Sequence, residues 1–401
     1  MTIIQKLTDQ LDGTLCNIVG NKIAVAVSGG ADSMALCFAL HEWSKKHSLE
    51  LTALTVDHQL RSESTAEAKK VHAWLISHNI HHEILTWQHE TIASKVQELA
   101  RDARYQLLIN YCRTHAISNL FLGHHSNDQL ETFMMRLSHQ SGLKGLGGML
   151  PVSQRQGVTI LRPFLNLNPN EFKIYLSNKN QPWIEDPSNQ LAHYERIRWR
   201  QQTSNLESIG LSSEIISNVC RKLHLEDEAL EWAAMEWINN NTTWDEELKF
   251  IECNITLQKL PEALVKRIMI KLASKVRGID ISVADTRHNL NAPYINICTP
   301  SFKPFTFGGC YWIRHINTIC LVREWDKCPQ QDITSTQTLY DHRYVLKDLP
   351  VGEILQPISK KYWPLLKPIV TKKHLPYQVF LSLPLVLINK EVVWLDVYKA
   401  L

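Results

Sequence analysis

The sequence predicts an α/β fold in which a parallel sheet carries helices on both faces, followed by a helical connector and a small α+β C-terminal domain. Over roughly the first 140 residues, β-branched apolar runs alternate with helical patterns, as is typical of a parallel sheet. From about residue 210 amphipathic helical segments replace that alternation, and from about residue 295 β-type runs dominate. Because 401 residues exceed one ordinary core, we expect three domains at 1–208, 209–294 and 295–401.

The elements of the first domain can be placed in order. Ile3, Ile4, Leu7 and Leu11 fall at helical spacing and predict a helix before residue 20. Strands are then predicted at 23–27, 49–56, 83–87 and 119–123, and helices at 32–47, 63–78, 91–115, 127–139 and 168–178. Since ligands bind at the carboxyl ends of parallel strands, a site is expected where these strands end.

The rest of the chain gives weaker signals. Residues 214–237 and 261–276 predict amphipathic helices, and residues 385–388 and 391–395 predict a hairpin. A glycine-dense stretch at 142–150 is either a lid over the site or a linker, and composition does not separate the two.

Composition is that of a soluble globular protein, with 44% hydrophobic and 21% charged residues. A net charge of +3 neither demands nor excludes a nucleic-acid partner. The N-terminus lacks the apolar region of a signal peptide, and no apolar run reaches membrane-spanning length, so a cytoplasmic protein is expected. Nine scattered cysteines without a Cys-x-x-Cys pair argue against a zinc ribbon or an iron–sulfur site and favour reduced, buried thiols.

Residues 23–36 predict a strand, a tight turn and a helix N-terminus in one short piece. Gly29 and Gly30 allow the sharp turn and expose N–H groups, while Asp32 and Ser33 fall in the first helical turn, which favours anions. Ser28 and Ser33 add hydroxyl groups. The stretch therefore predicts a phosphate cradle, although Asp32 could equally be a plain helix cap, and no lysine follows as in a Walker loop.

The motif Ser28–Ser33 resembles the PP-loop of the N-type ATP pyrophosphatases. Stretches 56–64, 98–105, 122–132 and 183–189 resemble one branch of that superfamily, the tRNA(Ile)-lysidine synthases, so the resemblance spans about residues 20–200 in family order. It implies that the first domain binds ATP and is catalytic. The ATP-binding residues that it implies are Ser28, Gly29, Gly30, Ala31, Asp32, Ser33, Asp57, His58 and His124.

The resemblance also implies a reaction. The wobble cytidine of the CAU-anticodon isoleucine tRNA is adenylated on its C2 oxygen with release of pyrophosphate. The ε-amine of free L-lysine then attacks C2 and displaces AMP, and the lysidine formed changes decoding from AUG to AUA. ATP and Mg²⁺ are the implied cofactors, with Asp32 as the metal candidate. The oligomeric state is left open, a homodimer among the alternatives.

Two pairs of charged residues are predicted to be catalytic. Arg101 and Arg104, like Asp128 and Glu131, lie three residues apart and share a helix face. The arginines suit phosphate or the adenylate, and the carboxylates suit Mg²⁺, the lysine ammonium or proton removal from the amine. Apart from the resemblance, solvated ion pairs and acids that complement a helix dipole are the alternatives. Asn127 stands where the family has a second acid, so the acidic role there rests on Asp128.

The residues predicted to bind tRNA combine cations with an aromatic ring: Arg196, Arg198, Trp199, Arg200, Lys372 and Lys373. For the two lysines, a solvated surface is an equal alternative. Three other functions stay open: a PP-loop enzyme that thiolates tRNA, a small-molecule amidating synthetase, and a nucleotide-binding module without turnover. The absence of Cys-x-x-Cys disfavours cluster-dependent thiolation, and the absence of an N-terminal glutaminase cysteine disfavours amidation.

Overall fold

The computed structural model describes residues 3–89, 96–185, 195–281, 290–299, 302–368, 370, 374–389, 391–393 and 395. The chain divides into two compact units, an N-terminal unit Met1–Asp227 and a C-terminal unit Glu228–Leu401. Within the described ranges, no helix combines the length and the apolar character needed to cross a bilayer.

The N-terminal unit alternates helices and strands. Its strands are β1 Lys22–Ala26, β2 Glu50–Asp57, β3 His81–Thr86, β4 Asn119–Phe121, β5 Val152–Arg155 and β6 Val158–Leu161. The helices that begin in it are α1 Ile3–Asp12, α2 Ala31–Lys46, α3 Ser64–Ser77, α4 Val96–Thr114, α5 Ser126–Ser138, α6 Leu143–Leu146, α7 Asn170–Asn178, α8 Glu195–Gln201, α9 Thr203–Ser208 and α10 Ser213–Asn241.

The six strands form one sheet in the order β3-β2-β1-β4-β6-β5. All neighbouring pairs are parallel except β5 and β6, which form an antiparallel hairpin. The hairpin was not predicted, because Val152–Arg155 is short and mostly polar and gives little strand signal. The chain places β2 on one side of β1 and β4 on the other. This switch point opens a crevice at the carboxyl ends of β1 and β4.

Helices cover both faces of the sheet, as the sequence predicts. Alternate residues of β1 enter different cores, because successive side chains of a strand point to opposite faces. Ile23 and Val25 pack with residues of α1, α2, α3 and α7, whereas Ala24 packs with α4. The α/β fold class is therefore confirmed.

The C-terminal unit is rich in sheet. Its strands are β7 Thr242–Asp245, β8 Phe250–Asn254, β9 Phe305–Phe307, β10 Cys310–His315, β11 Thr318–Arg323, β12 Gln331–Asp332, β13 Thr338–Tyr340, β14 Tyr344–Leu346, β15 Ile354–Pro357, β16 Pro384–Ile388 and β17 Glu391–Val393. Its helices within the described ranges are α11 Glu262–Arg277, α12 Asn291–Cys298, α13 Ser359–Leu366 and α14 Gln378–Leu381. The predicted C-terminal hairpin is confirmed by the pairing of β16 with β17.

The predicted boundaries at 208/209 and 294/295 do not coincide with this division of the chain. One sheet has the order β7-β8-β11-β10-β9, so strands from the expected helical connector pair with strands from the expected last domain. The short strands β7 and β8 lie between two long helices, α10 and α11, whose periodicity dominates the sequence there. Two strands of the predicted connector therefore share a sheet with three strands of the predicted last domain, and the three-domain division stays a prediction.

Candidate active site

The loop between β1 and α2 has the geometry of an anion cradle. Gly30 is the N-cap of α2, which leaves the first N–H groups of that helix without intrahelical acceptors. Gly29 adopts φ +89°, and its carbonyl accepts a 2.9 Å hydrogen bond from the N–H of Ile184. A Cβ atom at Gly29 would lie 2.9 Å from both Ile184 Cδ1 and Val71 Cγ2. Conformation and packing therefore both require glycine at this position.

Gly29→Ala is expected to lower the free energy of unfolding by about 2–4 kcal/mol, since backbone strain and steric overlap add. Gly157→Ala is the matched control, because Gly157 has φ +83° but its added Cβ would meet no atom within 4 Å. That variant should lose only about 1 kcal/mol from the positive φ. Urea unfolding measures both losses, and equal losses would contradict the packing role of Gly29.

The hydroxyl group of Ser33 holds the loop together. Ser33 Oγ accepts a 3.1 Å hydrogen bond from the Ser28 N–H and donates a 3.0 Å bond to the Gly30 carbonyl. Ser33 is buried, whereas Ser28 is exposed. The Ser33 hydroxyl is thus used inside the loop, and the hydroxyl of Ser28, an exposed residue, lies 3.1 Å from Ser33 Oγ.

Gly123, which follows β4, brings a second strand end against this loop. A Cβ atom there would lie 3.1 Å from the carbonyl oxygen of Asp32 and from Ser33 Cα. The close approach sets His124 and His125 beside the first turn of α2. The sequence alone predicts no role for Gly123, because the contact joins segments about 90 residues apart.

His125 connects the loop to helix α5. The ring Nε2 of His125 lies 3.4 Å from Asp32 Oδ2 and 3.4 Å from Asp128 Oδ2. The backbone N–H of His125 donates a 3.0 Å hydrogen bond to Asp128 Oδ2. Burial would lower the pKa of His125, but the hydrogen bond to Asp32 and the charge of Asp128 outweigh it and raise the pKa. His125 therefore bridges two carboxylates that come from different elements, and both favour its protonated form.

His58 and His124 are neutral imidazoles at the same edge of the sheet. Burial, followed by the charge of Arg104, lowers the pKa of His58 to about 4. Burial lowers the pKa of His124 to about 3, with Asp128 opposing the shift and Arg162 adding to it. The Nδ1 atoms of both rings are buried and lack a hydrogen-bond partner among the described residues. Such atoms call for a polar ligand group.

The neutral histidines give stability a pH dependence of definite sign. Because the folded pKa values of His58 and His124 lie below the unfolded value of about 6.5, the unfolded chain binds more protons in that interval. Stability should therefore fall as the pH falls from about 6.5 towards 4. In His124→Gln, the slope of unfolding free energy against pH should decrease by about 1.4 kcal/mol per pH unit over that window.

Urea unfolding at a series of pH values measures this slope, and an unchanged slope would contradict a neutral, buried His124. His125 contributes in the opposite direction because its folded pKa is raised. Its stabilisation is complete below its unfolded pKa and is lost as the pH rises through its folded pKa. Because this loss lies above pH 6.5, His125→Gln should leave the slope between pH 4 and 6.5 nearly unchanged and should remove a fall of stability at higher pH.

The predicted acids and the predicted tRNA-binding arginines contact each other. Glu131 is fully buried, and its two oxygens accept 2.6 Å bonds from Arg196 Nε and Arg200 Nε. Arg196 Nη2 also lies 2.9 Å from Asp128 Oδ1. Burial would raise the pKa of Asp128, but the charges of His125 and Arg196 outweigh it and keep the pKa low. We call Asp128, Glu131, Arg196 and Arg200 the ionic quartet.

The ionic quartet brings the predicted catalytic acids and two of the predicted tRNA-binding arginines together. Two guanidinium groups contact the carboxylates of Asp128 and Glu131. On the same helix Arg198 is exposed and Trp199 is partly buried, and the roles of all these residues stay predictions. Lys372 and Lys373 lie outside the described residues.

Arg104 is a cation placed among cations. Burial lowers its pKa, and the neighbouring charges of Arg101 and Arg196 lower it further. Arg101 is exposed, with its guanidinium 5.3 Å from the ring centre of Tyr105. The neighbouring acid Asp102 pairs with Arg155 at 3.7 Å. An anion would relieve the repulsion around Arg104, so α4 offers a phosphate contact facing His58.

Asp57 is buried, and both of its carboxylate oxygens accept hydrogen bonds from the residues that follow β2. Oδ1 accepts bonds from the Gln59 N–H at 3.1 Å and Ser64 Oγ at 2.8 Å, and Oδ2 accepts one from Thr65 Oγ1 at 2.6 Å. Burial would raise its pKa, but the hydrogen bonds from Thr65 and Ser64 outweigh this and hold it below the usual value. The side chain predicted to bind ATP therefore orders the loop between β2 and α3.

The glycine-dense stretch is anchored and does not have the character of a free lid. It forms α6, and Arg136 Nη1 donates to the carbonyls of Gly145 at 2.6 Å and Gly148 at 2.8 Å. The amide of Gln129 exchanges two hydrogen bonds with the backbone of Met149, at 2.9 and 2.7 Å. The stretch is thus part of the wall that α5 builds beside the site.

Comparison with known proteins agrees with this geometry. A family model described as a PP-loop domain matches residues 3–207. A tRNA(Ile)-lysidine synthase of Orientia tsutsugamushi is 31% identical over 82% of this chain and 75% of its own length. Proteins of the same name from Ruegeria pomeroyi and Wolbachia pipientis wMel are 30% and 31% identical over 81% and 85% of this chain, and over 76% and 80% of their own lengths.

Proposed function

Because the chain belongs to the tRNA(Ile)-lysidine synthase family of PP-loop enzymes, we propose which of its residues perform each step of that reaction. The enzyme uses ATP to modify the wobble cytidine of an isoleucine tRNA. The C2 oxygen attacks the α-phosphorus of ATP, the bond to the β-phosphate breaks, and pyrophosphate leaves. An amine then attacks C2, the C2–oxygen bond breaks, and AMP leaves. We propose that the amine is the ε-amine of free lysine.

The first step belongs to the cradle and to α4. The free N–H groups at the start of α2 and the exposed hydroxyl of Ser28 hold the leaving pyrophosphate. Arg104, with Arg101 nearer to solvent, stabilises the negative charge that develops at the α-phosphate. The unpaired Nδ1 atoms of His58 and His124 provide polar contacts for the nucleotide or the flipped base.

Mg²⁺ fits the donors at the mouth of the cradle. The Asp32 side chain is 38% exposed, and the hydroxyl of Ser28 lies in the same loop. With phosphate oxygens they make the all-oxygen set that Mg²⁺ prefers. When bound, the ion neutralises charge on the phosphates. His125, fixed on Asp32 Oδ2, leaves Oδ1 of that carboxylate as the oxygen for the ion.

The second step depends on the ionic quartet. A lysine ammonium must lose a proton before it can attack, and an adjacent carboxylate can accept that proton. Asp128 and Glu131 become available when Arg196 and Arg200 transfer to the phosphates of the tRNA or the adenylate. Helix α8 carries both arginines together with exposed Arg198 and with Trp199. The arginines of this one helix can therefore leave the acids and contact the RNA backbone instead.

The observation that carries this assignment is the continuous set of contacts from Asp32 through His125 to Asp128, Arg196 and Glu131. It joins the phosphate cradle to the acids at the carboxyl edge of the sheet. Lys372 and Lys373 stay proposed tRNA contacts. A homodimer also stays a prediction, which the molar mass from light scattering would test. The reaction takes place in the cytoplasm, where tRNA, ATP and free lysine occur together.

The two steps can be separated by omitting one substrate at a time. With ATP and bulk bacterial tRNA but no lysine, about one equivalent of pyrophosphate per enzyme should appear and then stop. Adding labelled lysine should start turnover, release AMP and place the label in a modified cytidine on nucleoside analysis. Pyrophosphate release without tRNA would favour a small-molecule amidating synthetase, and sulfur in the nucleoside would favour a thiolating enzyme. Either result would overturn the proposal.

A further inference from the structure

Three potential metal ligands meet in the C-terminal unit, away from the residues assigned to the reaction. Glu252, His315 and Cys320 each offer one ligand atom, and these atoms all lie within 4.8 Å of one another. Glu252 of β8 is the register partner of Cys320 in β11, and His315 ends the adjacent strand β10. Antiparallel pairing therefore gathers three donors from three neighbouring strands.

Cys320 and Glu252 lie side by side on two paired strands. Cys320 is fully buried and packs in an apolar cluster with Phe250 and Val322. The Cys320 thiol donates a 3.4 Å hydrogen bond to Glu252 Oε1, so the sulfur and the carboxylate are already within reach of one ion. Glu252 and His315 are partly exposed, which gives an ion a path from solvent.

We propose that Glu252, His315 and Cys320 form a zinc site that ties β8, β10 and β11 together. Zinc binds thiolate, imidazole and carboxylate at about 2.0–2.3 Å in a tetrahedron, whose edges are about 3.3–3.8 Å. Side-chain adjustments of about 1 Å bring the three donors to that geometry. Mg²⁺ is the wrong ion here, because it prefers oxygen ligands only. Water takes the fourth position from the exposed side.

Zinc binding replaces one proton. The sulfur–hydrogen bond of Cys320 breaks, the thiolate binds zinc, and the proton leaves to solvent, so binding tightens as the pH rises. The ion fixes β8 to β10 across β11, and its effect should therefore be on the stability of the C-terminal unit. The pattern is invisible in the sequence because the ligands lie 63 and 5 residues apart and include no Cys-x-x-Cys.

Cobalt titration of the full-length protein, freed of metal with a chelator, tests the site. We expect one equivalent of Co²⁺ to produce a thiolate-to-cobalt charge-transfer band, zinc to displace it, and one proton to be released. Cys320→Ser should abolish the band, and His315→Ala should weaken zinc binding by about 100-fold. Zinc should also raise the unfolding temperature of the wild-type protein but not of Cys320→Ser.

Cys253→Ser is the matched control. Cys253 is buried, lies next to Glu252 in β8 and packs on the opposite face of the same sheet. The Cys253→Ser variant should bind cobalt and zinc as the wild type does. Absence of a cobalt band in the wild type, or an equal band in Cys320→Ser, would overturn the proposal. So would equal losses in Cys253→Ser and His315→Ala, because those would reflect damage to the sheet and not loss of a ligand.

Discussion

Asp32→Asn is expected to reduce tRNA-dependent pyrophosphate release by about 1,000-fold. The substitution keeps the size of the side chain but removes the negative charge that faces the phosphates. It also removes the carboxylate whose Oδ2 lies 3.4 Å from His125 Nε2 in the wild type. The anionic oxygen donor for Mg²⁺ and the charged link from the cradle to Asp128 are lost together. Initial rates with saturating ATP and tRNA measure the effect, and thermal unfolding verifies that the fold persists.

Asp102→Asn provides the control for Asp32→Asn. Asp102 is an exposed acid on α4 whose partner is Arg155 at 3.7 Å, outside the proposed chemistry. Its loss should leave pyrophosphate release near the wild-type rate. If Asp32→Asn turned over as fast as Asp102→Asn, the assignment of the cradle would be wrong.

Glu131→Gln is expected to cost about 2–4 kcal/mol of stability and to abolish lysine transfer. Glu131 is fully buried and accepts bonds from both Arg196 and Arg200, so the amide leaves two guanidinium groups facing Asp128 alone. The cost falls below that of a wholly buried pair, because the arginine side chains are 32% and 40% exposed and regain water. Urea unfolding and label incorporation into tRNA measure the two effects.

The double variant Glu131→Gln with Arg200→Gln separates stability from catalysis. Removing one cation with the acid restores the charge balance, so stability should recover in part, whereas lysine transfer should not. Recovery of both would show that Glu131 acts only through the fold. Full stability of the single variant would contradict the burial and pairing of Glu131.

The α/β order and the phosphate cradle could be predicted because each signal is local. The run from Ile23 to Leu36 contains its own strand, glycines and helix start, and neighbouring strands of a parallel sheet end at one edge. The parallel order of β1 to β4 and the helices on both faces follow from the same alternation. The polar strand β5, which forms the hairpin with β6, fell outside it.

The pairing inside the site could not be predicted, because it joins residues distant in sequence. Arg196 and Glu131 are 65 positions apart in the sequence. A basic cluster predicts a nucleic-acid surface as long as the acids that contact it are unknown. The position of Asp57 at a strand end predicts a ligand contact, whereas its hydrogen bonds to Gln59, Ser64 and Thr65 appear only in the structure. Gly123 carried no signal, since a close backbone approach appears only once β4 and α2 meet.

The ionic quartet has a consequence for the order in which substrates enter. Two anions and two cations cancel, so a free amino acid meets no net attraction there, while the unneutralised Arg104 draws triphosphate. Binding should accordingly be ordered, with nucleotide preceding lysine. Lysine should therefore bind only after the nucleotide, and the protein without nucleotide should not bind lysine.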